Sequence, residues 1–176
     1  TLEGAVVANL KNYCKKNGIT PFIFFQVLVK TLLYKYTGQQ DLIIGTVFAG
    51  RESVLMEKQV GTFANILPVR TRLKPTGSFR QLVHQIKEQV FEIYTHQFYP
   101  FAQILKDLAL PFDQSHPPLF DVTVIVQNFQ DNTSEPLDFG AIQVKPLDFE
   151  TALTTQDLSF IITEKTGGQI ELAIFY

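Results

Sequence analysis

The stretch TPFIFFQVLVKTLLYKYTGQQDLIIGTVFAGR, residues 20–51, decides the fold. Thr20 offers an N-cap and Pro21 a first helical position, so the spacing predicts a helix that runs from Phe22 to Tyr36 and stops at Thr37 and Gly38. Only Gln26, Lys30, Thr31 and Lys35 interrupt its apolar circumference. That pattern predicts a helix enclosed by other elements on most sides, and hence a layered architecture. Past the polar residues at Gly38 to Asp41, Leu42 to Phe48 is a short apolar run closed by Ala49, Gly50 and Arg51. It has the pattern of a buried strand.

Working outward toward the N-terminus, Leu2, Val6, Leu10, Tyr13 and Cys14 recur at helical spacing. Lys15, Lys16 and Gly18 then supply the cations and the left-handed cap of a helix end. On the other side, a polar excursion holding Arg51, Glu52, Glu57 and Lys58 closes on Val60 to Asn65, and Ile66, Leu67, Val69, Thr71 and Leu73 read as a second strand. Ser78 caps a predicted amphipathic helix with the face Phe79, Leu82, Val83, Ile86, Val90, Ile93 and Tyr94. A short helix follows over Pro100 to Leu108, ending before Pro111. After His116, Pro117 and Pro118, Leu119 to Val126 has high β propensity. Asp131 to Gly140 reads as a polar loop, Ile142 to Leu147 as a strand, and Leu158–Ile162 with Ile170–Tyr176 as a hairpin about Gly167 and Gly168. Helices first and antiparallel strands later argue an α+β fold, with helices packed on one face of a mixed, largely antiparallel sheet.

At 176 residues with 45% hydrophobic and 18% charged side chains, the chain fits a single domain, residues 1–176, with one sizeable core. Fifteen Lys and Arg against seventeen Asp and Glu give a net charge of -2, which lacks the basic footprint that nucleic acid demands. The single Cys14 forms no internal disulfide and suits a reducing compartment, so a cytoplasmic location is expected. Phe22 to Val29, broken by Gln26 and followed by Lys30, falls short of the ~18 apolar residues of a membrane span, so no membrane partner is expected. Thr1 to Gly4 shows no signal-peptide pattern. The sole methionine is Met56, so this sequence reads as part of something longer.

Familiar catalytic signatures are missing: there is no phosphate-cradling loop, no nucleophile elbow and no metal-ligand spacing. His84 belongs with Arg80, Lys87 and Glu88 on a solvated helix face, while His96 and His116 read as structural or loop residues. Asn65, between Phe63 and Ile66 at the mouth of a strand, either satisfies backbone groups or faces a cavity. Arg51 either pairs with Glu52 or Glu57 at the surface or serves a site. Gly45 and Gly61 fit tight packing and close approach of a ligand equally well.

Taken together, these segments resemble the C-terminal half of a condensation domain of nonribosomal peptide synthetases, in the chloramphenicol acetyltransferase-like superfamily. The resemblance rests on ordered blocks along nearly the whole chain: Thr20 to Thr46, Ala49-Gly50-Arg51, Gly61-Thr62-Phe63-Ala64-Asn65, His96-Gln97-Phe98-Tyr99-Pro100-Phe101, and Pro118-Leu119-Phe120-Asp121-Val122 with Gln127-Asn128 and Asp157-Leu158. Departures are His116 where the family has arginine, Ala64 for Val, and Ile66 for Thr or Pro. The family's HHxxxDG motif, which belongs to the N-terminal half, has no counterpart, since no two histidines are adjacent.

The resemblance implies amide formation between acyl and aminoacyl thioesters held on carrier proteins. The chain would supply a tunnel wall and carrier contacts, and would be inactive alone. It implies no catalytic residue and no cofactor on this chain, with phosphopantetheine brought by carrier partners. It would set Phe63, Asn65, Gly45 and Phe101 toward the substrate tunnel. Arg51 would face the carrier or fix the loop that follows it, and Phe101, Ile104 and Leu105 would plug the tunnel's base. Its partners would be the N-terminal half of the domain and the peptidyl or acyl carrier proteins. A non-enzymatic carrier-docking module is the alternative. An acyltransferase with an active site formed between chains is a third reading.

Overall fold

In the computed structural model the described residues are 1–51, 53–110, 117–127, 156–165 and 167–176. Helix α1 (Gly4–Asn17) ends in its two lysines, and α2 (Pro21–Thr37) begins as expected, the Thr20 hydroxyl accepting from the Ile23 N–H at 3.3 Å. Gly38, at φ 70°, stops α2 in the left-handed region that glycine alone adopts cheaply. Strand β1 (Asp41–Phe48) follows, and the excursion after it contains a one-turn helix, α3 (Val54–Glu57), which the sequence pattern does not signal. Its four residues carry too little periodicity to read.

Strand β2 (Asn65–Arg72) leads to α4 (Phe79–Thr95), whose start is a reciprocal capping box between Ser78 and Gln81. Helix α5 (Phe101–Leu108) and strands β3 (Val122–Gln127), β4 (Leu158–Glu164) and β5 (Ile170–Phe175) complete the described elements. The β4–β5 hairpin is as expected. Strand β3 begins at Val122 rather than at Leu119, as propensity suggests, because Leu119 sits at φ 77° and turns the chain there. The expected strand at Ile142–Leu147, the loop Asp131–Gly140, His116 and Asn128 lie outside the described residues.

The strands form one sheet in the order β2-β1-β3-β4-β5. Pairs β2/β1 and β4/β5 are antiparallel, while β1/β3 and β3/β4 are parallel. The sheet is therefore mixed, with antiparallel pairs at its edges and parallel pairing at its centre. Helices α1, α2 and α4 cover one face. Val7 and Leu10 of α1, Ile23, Val27 and Val29 of α2, and Val83, Ile86 and Val90 of α4 pack with Ile44, Val124, Phe160 and Ile162 of the sheet in one core. Each such side chain, fully buried, contributes about 1.5–3 kcal/mol.

Helix α2 departs from the expected enclosure in an instructive way. Leu28, Leu32 and Tyr36 form an exposed stripe one turn apart, while the polar Gln26 and Lys30 are fully buried. Composition around the circumference does not say which polar residue faces in. Among the described residues, no single helix is long and apolar enough to cross a membrane.

Candidate functional site

The loop joining β1 to β2 is folded around one side chain. The Arg51 guanidinium donates to the carbonyls of Met56, Gln59 (3.0 Å) and Gly61 (3.0 Å), and its central carbon lies 4.5 Å from the Phe63 ring centroid. Arg51 is exposed, and its three hydrogen bonds go to backbone carbonyls of the loop that follows it. The alternative pairing with Glu52 or Glu57 concerns side chains outside the described residues. Next to it, Gly50 sits at φ 64°, and a Cβ there would stand 2.2 Å from the Phe63 carbonyl oxygen. Only glycine fits both demands.

Asn65, the first residue of β2, ties two distant blocks together. Its Nδ2 donates to the carbonyls of Gln97 (2.9 Å) and Tyr99 (2.8 Å), and its Oδ1 accepts from the Phe101 N–H at 3.3 Å. Both amide hydrogens are thus committed to the α4–α5 connection, which carries backbone groups that no helix ladder satisfies. Of the two readings open for Asn65, backbone satisfaction is the one the structure displays. The Phe101 ring in turn lies 5.4 Å from the Phe120 ring. Phe120 is buried over Gly45, where an added Cβ would come within 2.2 Å of its ring. Gly45 is therefore explained by packing against Phe120 on the sheet face opposite α2.

Gly45, Asn65, Phe101 and Phe120 make one continuous line of contacts, and Gly50, Arg51, Gly61 and Phe63 make a second one on the neighbouring loop. Sequence pattern does not mark Phe120 and Gly50 as site residues. Their signal is present, in the Pro-Leu-Phe run before β3 and in the Ala-Gly-Arg run after β1, but only the fold says what each touches.

Beside this line, Leu67, Pro68, Ile93 and Ile104 floor an apolar pocket of about 370 Å³, with Glu92, His96 and Tyr99 at its rim. Ile104 thus lines this pocket at the β2 edge. The Tyr99 hydroxyl donates to the Asp107 carboxylate, which also accepts from Gln103 Nε2 at 2.7 Å. That hydrogen bond pushes the Tyr99 phenol up from its ordinary value. His84 lines a separate polar groove between α2 and α4. No group of three or more His, Cys, Asp or Glu among the described residues could hold a metal ion. In this cluster an amide, a guanidinium and a tilted pair of rings join separate loops, and these contacts set no nucleophile against a base.

Helices on one face of a mixed sheet, with these ordered blocks meeting around β1 and β2, define the chloramphenicol acetyltransferase-like fold of condensation domains. The family model for the Condensation domain matches residues 1–176, and this chain belongs to that family. It is 34% identical over 166 residues to bacitracin synthase 2 of Bacillus licheniformis, covering 94% of this chain and 6% of that protein. It is 31% identical over 167 residues to bacitracin synthase 3 of the same organism, covering 95% of this chain and 3% of that protein. Among solved structures, the X-domain from teicoplanin biosynthesis matches with TM-score 0.80 and 29% identity over 94% of this chain and 38% of that one. The condensation domain from the monacolin K polyketide synthase MokA matches with TM-score 0.84 and 22% identity over 98% of this chain and 39% of that one, a likeness of fold. The chain thus spans well under half of each of these relatives.

Proposed function

We propose that this chain works as the C-terminal half of a condensation domain, forming one wall of the tunnel in which a carrier-bound acyl thioester meets a carrier-bound amine. In that reaction the amine nitrogen attacks the thioester carbonyl, the C–N bond forms through a tetrahedral intermediate, and the C–S bond breaks to return a thiol to the upstream carrier. Holding both pantetheine arms in one channel replaces a bimolecular encounter by an oriented one and keeps water from the thioester. The proton-handling histidine motif comes from the N-terminal half, and this chain alone is inactive.

Within the half domain, Asn65, Phe101 and Gly45 belong to the tunnel side as positioning residues, with Phe63 beside them and Arg51 holding the adjoining loop in a carrier-facing shape. The observation that carries this reading is the convergence of five family blocks on two linked contact lines, together with a sequence that contains no two adjacent histidines. The deciding experiment is a thioester-to-amine assay with carrier-loaded substrates, run on this chain alone and after supplying the N-terminal half. Turnover only in the combined sample is expected. Turnover by this chain alone overturns the proposal, and carrier binding without turnover in either sample favours a docking module instead.

A further inference from the structure

Lys30 is fully buried on α2, and its surroundings are built for two hydrogen bonds. Its Nζ donates to the Val69 carbonyl and to the Thr71 hydroxyl, each at 2.7 Å. Thr71 gives its own hydrogen to Gln89 Oε1 at 2.6 Å, so toward Lys30 it can only accept. An uncharged amine has two hydrogens to donate, which these two acceptors consume. An ammonium has three, and the third meets no acceptor among the described residues. The nearest candidate by sequence spacing is Gln26, one turn earlier on α2, but neither of its buried amide atoms has any partner.

Among the described residues none of the charged side chains on the elements around Lys30 pairs with it, and Arg80 of α4 is exposed. Arg70 and Arg72 of β2 bind Asp41 of β1. On α4, Lys87 lies beside Gly18, His84 lines the polar groove together with Lys35 of α2, Glu92 rims the apolar pocket, and Glu88 is exposed. Among the described residues no carboxylate pairs with the amine, and burial without a counter-charge disfavours the protonated form.

We propose that Lys30 is held as an uncharged amine and acts as a proton-operated bolt joining α2, β2 and α4, so that proton uptake loosens edge strand β2 and the Asn65 contacts that start from it. Burial pushes Lys30 down to about 7 from its ordinary value of 10.5, which places the bolt's transition close to neutrality. A base whose folded value is lowered binds its proton more readily in the opened chain. The closed state therefore gains stability as pH rises from about 7 toward 10.5, and below about 7 its dependence on this group flattens.

The test uses the intact condensation domain carrying this chain, labelled with ¹³C at lysine Cε and titrated by NMR, with Lys30→Arg used to assign the signal. One lysine resonance titrating near pH 7 is expected, and all lysine signals titrating above about pH 9.5 overturn the proposal. Hydrogen exchange of residues 65–72, corrected for the intrinsic pH effect, gives a second readout. Protection is expected to fall by roughly tenfold or more from about pH 8.5 to about pH 6 in the parent and to stay level in Lys30→Met. Equal pH profiles in the two proteins overturn the bolt.

Discussion

At the scale of single residues, the chain spends its unusual side chains on holding backbone. Asn65 commits both amide hydrogens and its carbonyl to three groups of the α4–α5 connection. Asn65→Ala should therefore destabilise the domain by about 1–3 kcal/mol, since it orphans half-buried backbone groups. Thermal denaturation reads that loss, and condensation activity of the reconstituted domain should fall further than the melting shift alone accounts for. Equal losses would assign Asn65 to folding only. Gly45 makes the complementary case: Gly45→Ala drives a methyl into the Phe120 ring and should cost about 1–3 kcal/mol. Phe120→Leu in the same protein should recover part of that cost, and a double-mutant cycle measures the coupling. These roles are half legible in the sequence. A glycine mid-strand and an asparagine at a strand mouth announce a constraint, but not whether a ring, a backbone or a ligand imposes it.

At the scale of elements, boundaries written in local chemistry are recovered directly. Thr20-Pro21 opens α2, Gly38 closes it, and Ser78 with Gln81 opens α4. Ser78→Ala should cost about 1 kcal/mol, seen as a lowered denaturation midpoint with an unchanged slope. The start of β3 is not legible, because Leu119 has good strand propensity and is turned to φ 77° where the chain lays Phe120 over Gly45. Propensity is a local quantity, and that turn accompanies a contact between residues 45 and 120. The inward face of α2 escapes the pattern for a related reason. Counting apolar positions marks Gln26 and Lys30 only as interruptions, while the fold buries both and leaves Leu28, Leu32 and Tyr36 outside. Burial of Lys30 is tolerated because two acceptors from β2 meet it, and no pattern confined to α2 contains those acceptors.

At the scale of the whole molecule, membership of the condensation family follows from the order of the blocks, and the fold supplies the reason for their order. Supplying the N-terminal half to this chain should restore amide formation, with the amide product measured by mass spectrometry and the Asn65 variant impaired in the same assay. The sequence by itself determined helices α1, α2, α4 and α5, the β4–β5 hairpin, the layered α+β class and the family, because caps, periodicity and contiguous blocks are short-range signals. The tertiary structure alone decided the parallel pairing of β1, β3 and β4, the joining of Asn65 to Phe101, the ring over Gly45 and the buried seat of Lys30. Each of these is a meeting of residues tens of positions apart, and its free energy is set by packing and by hydrogen bonds whose partners the local sequence does not contain.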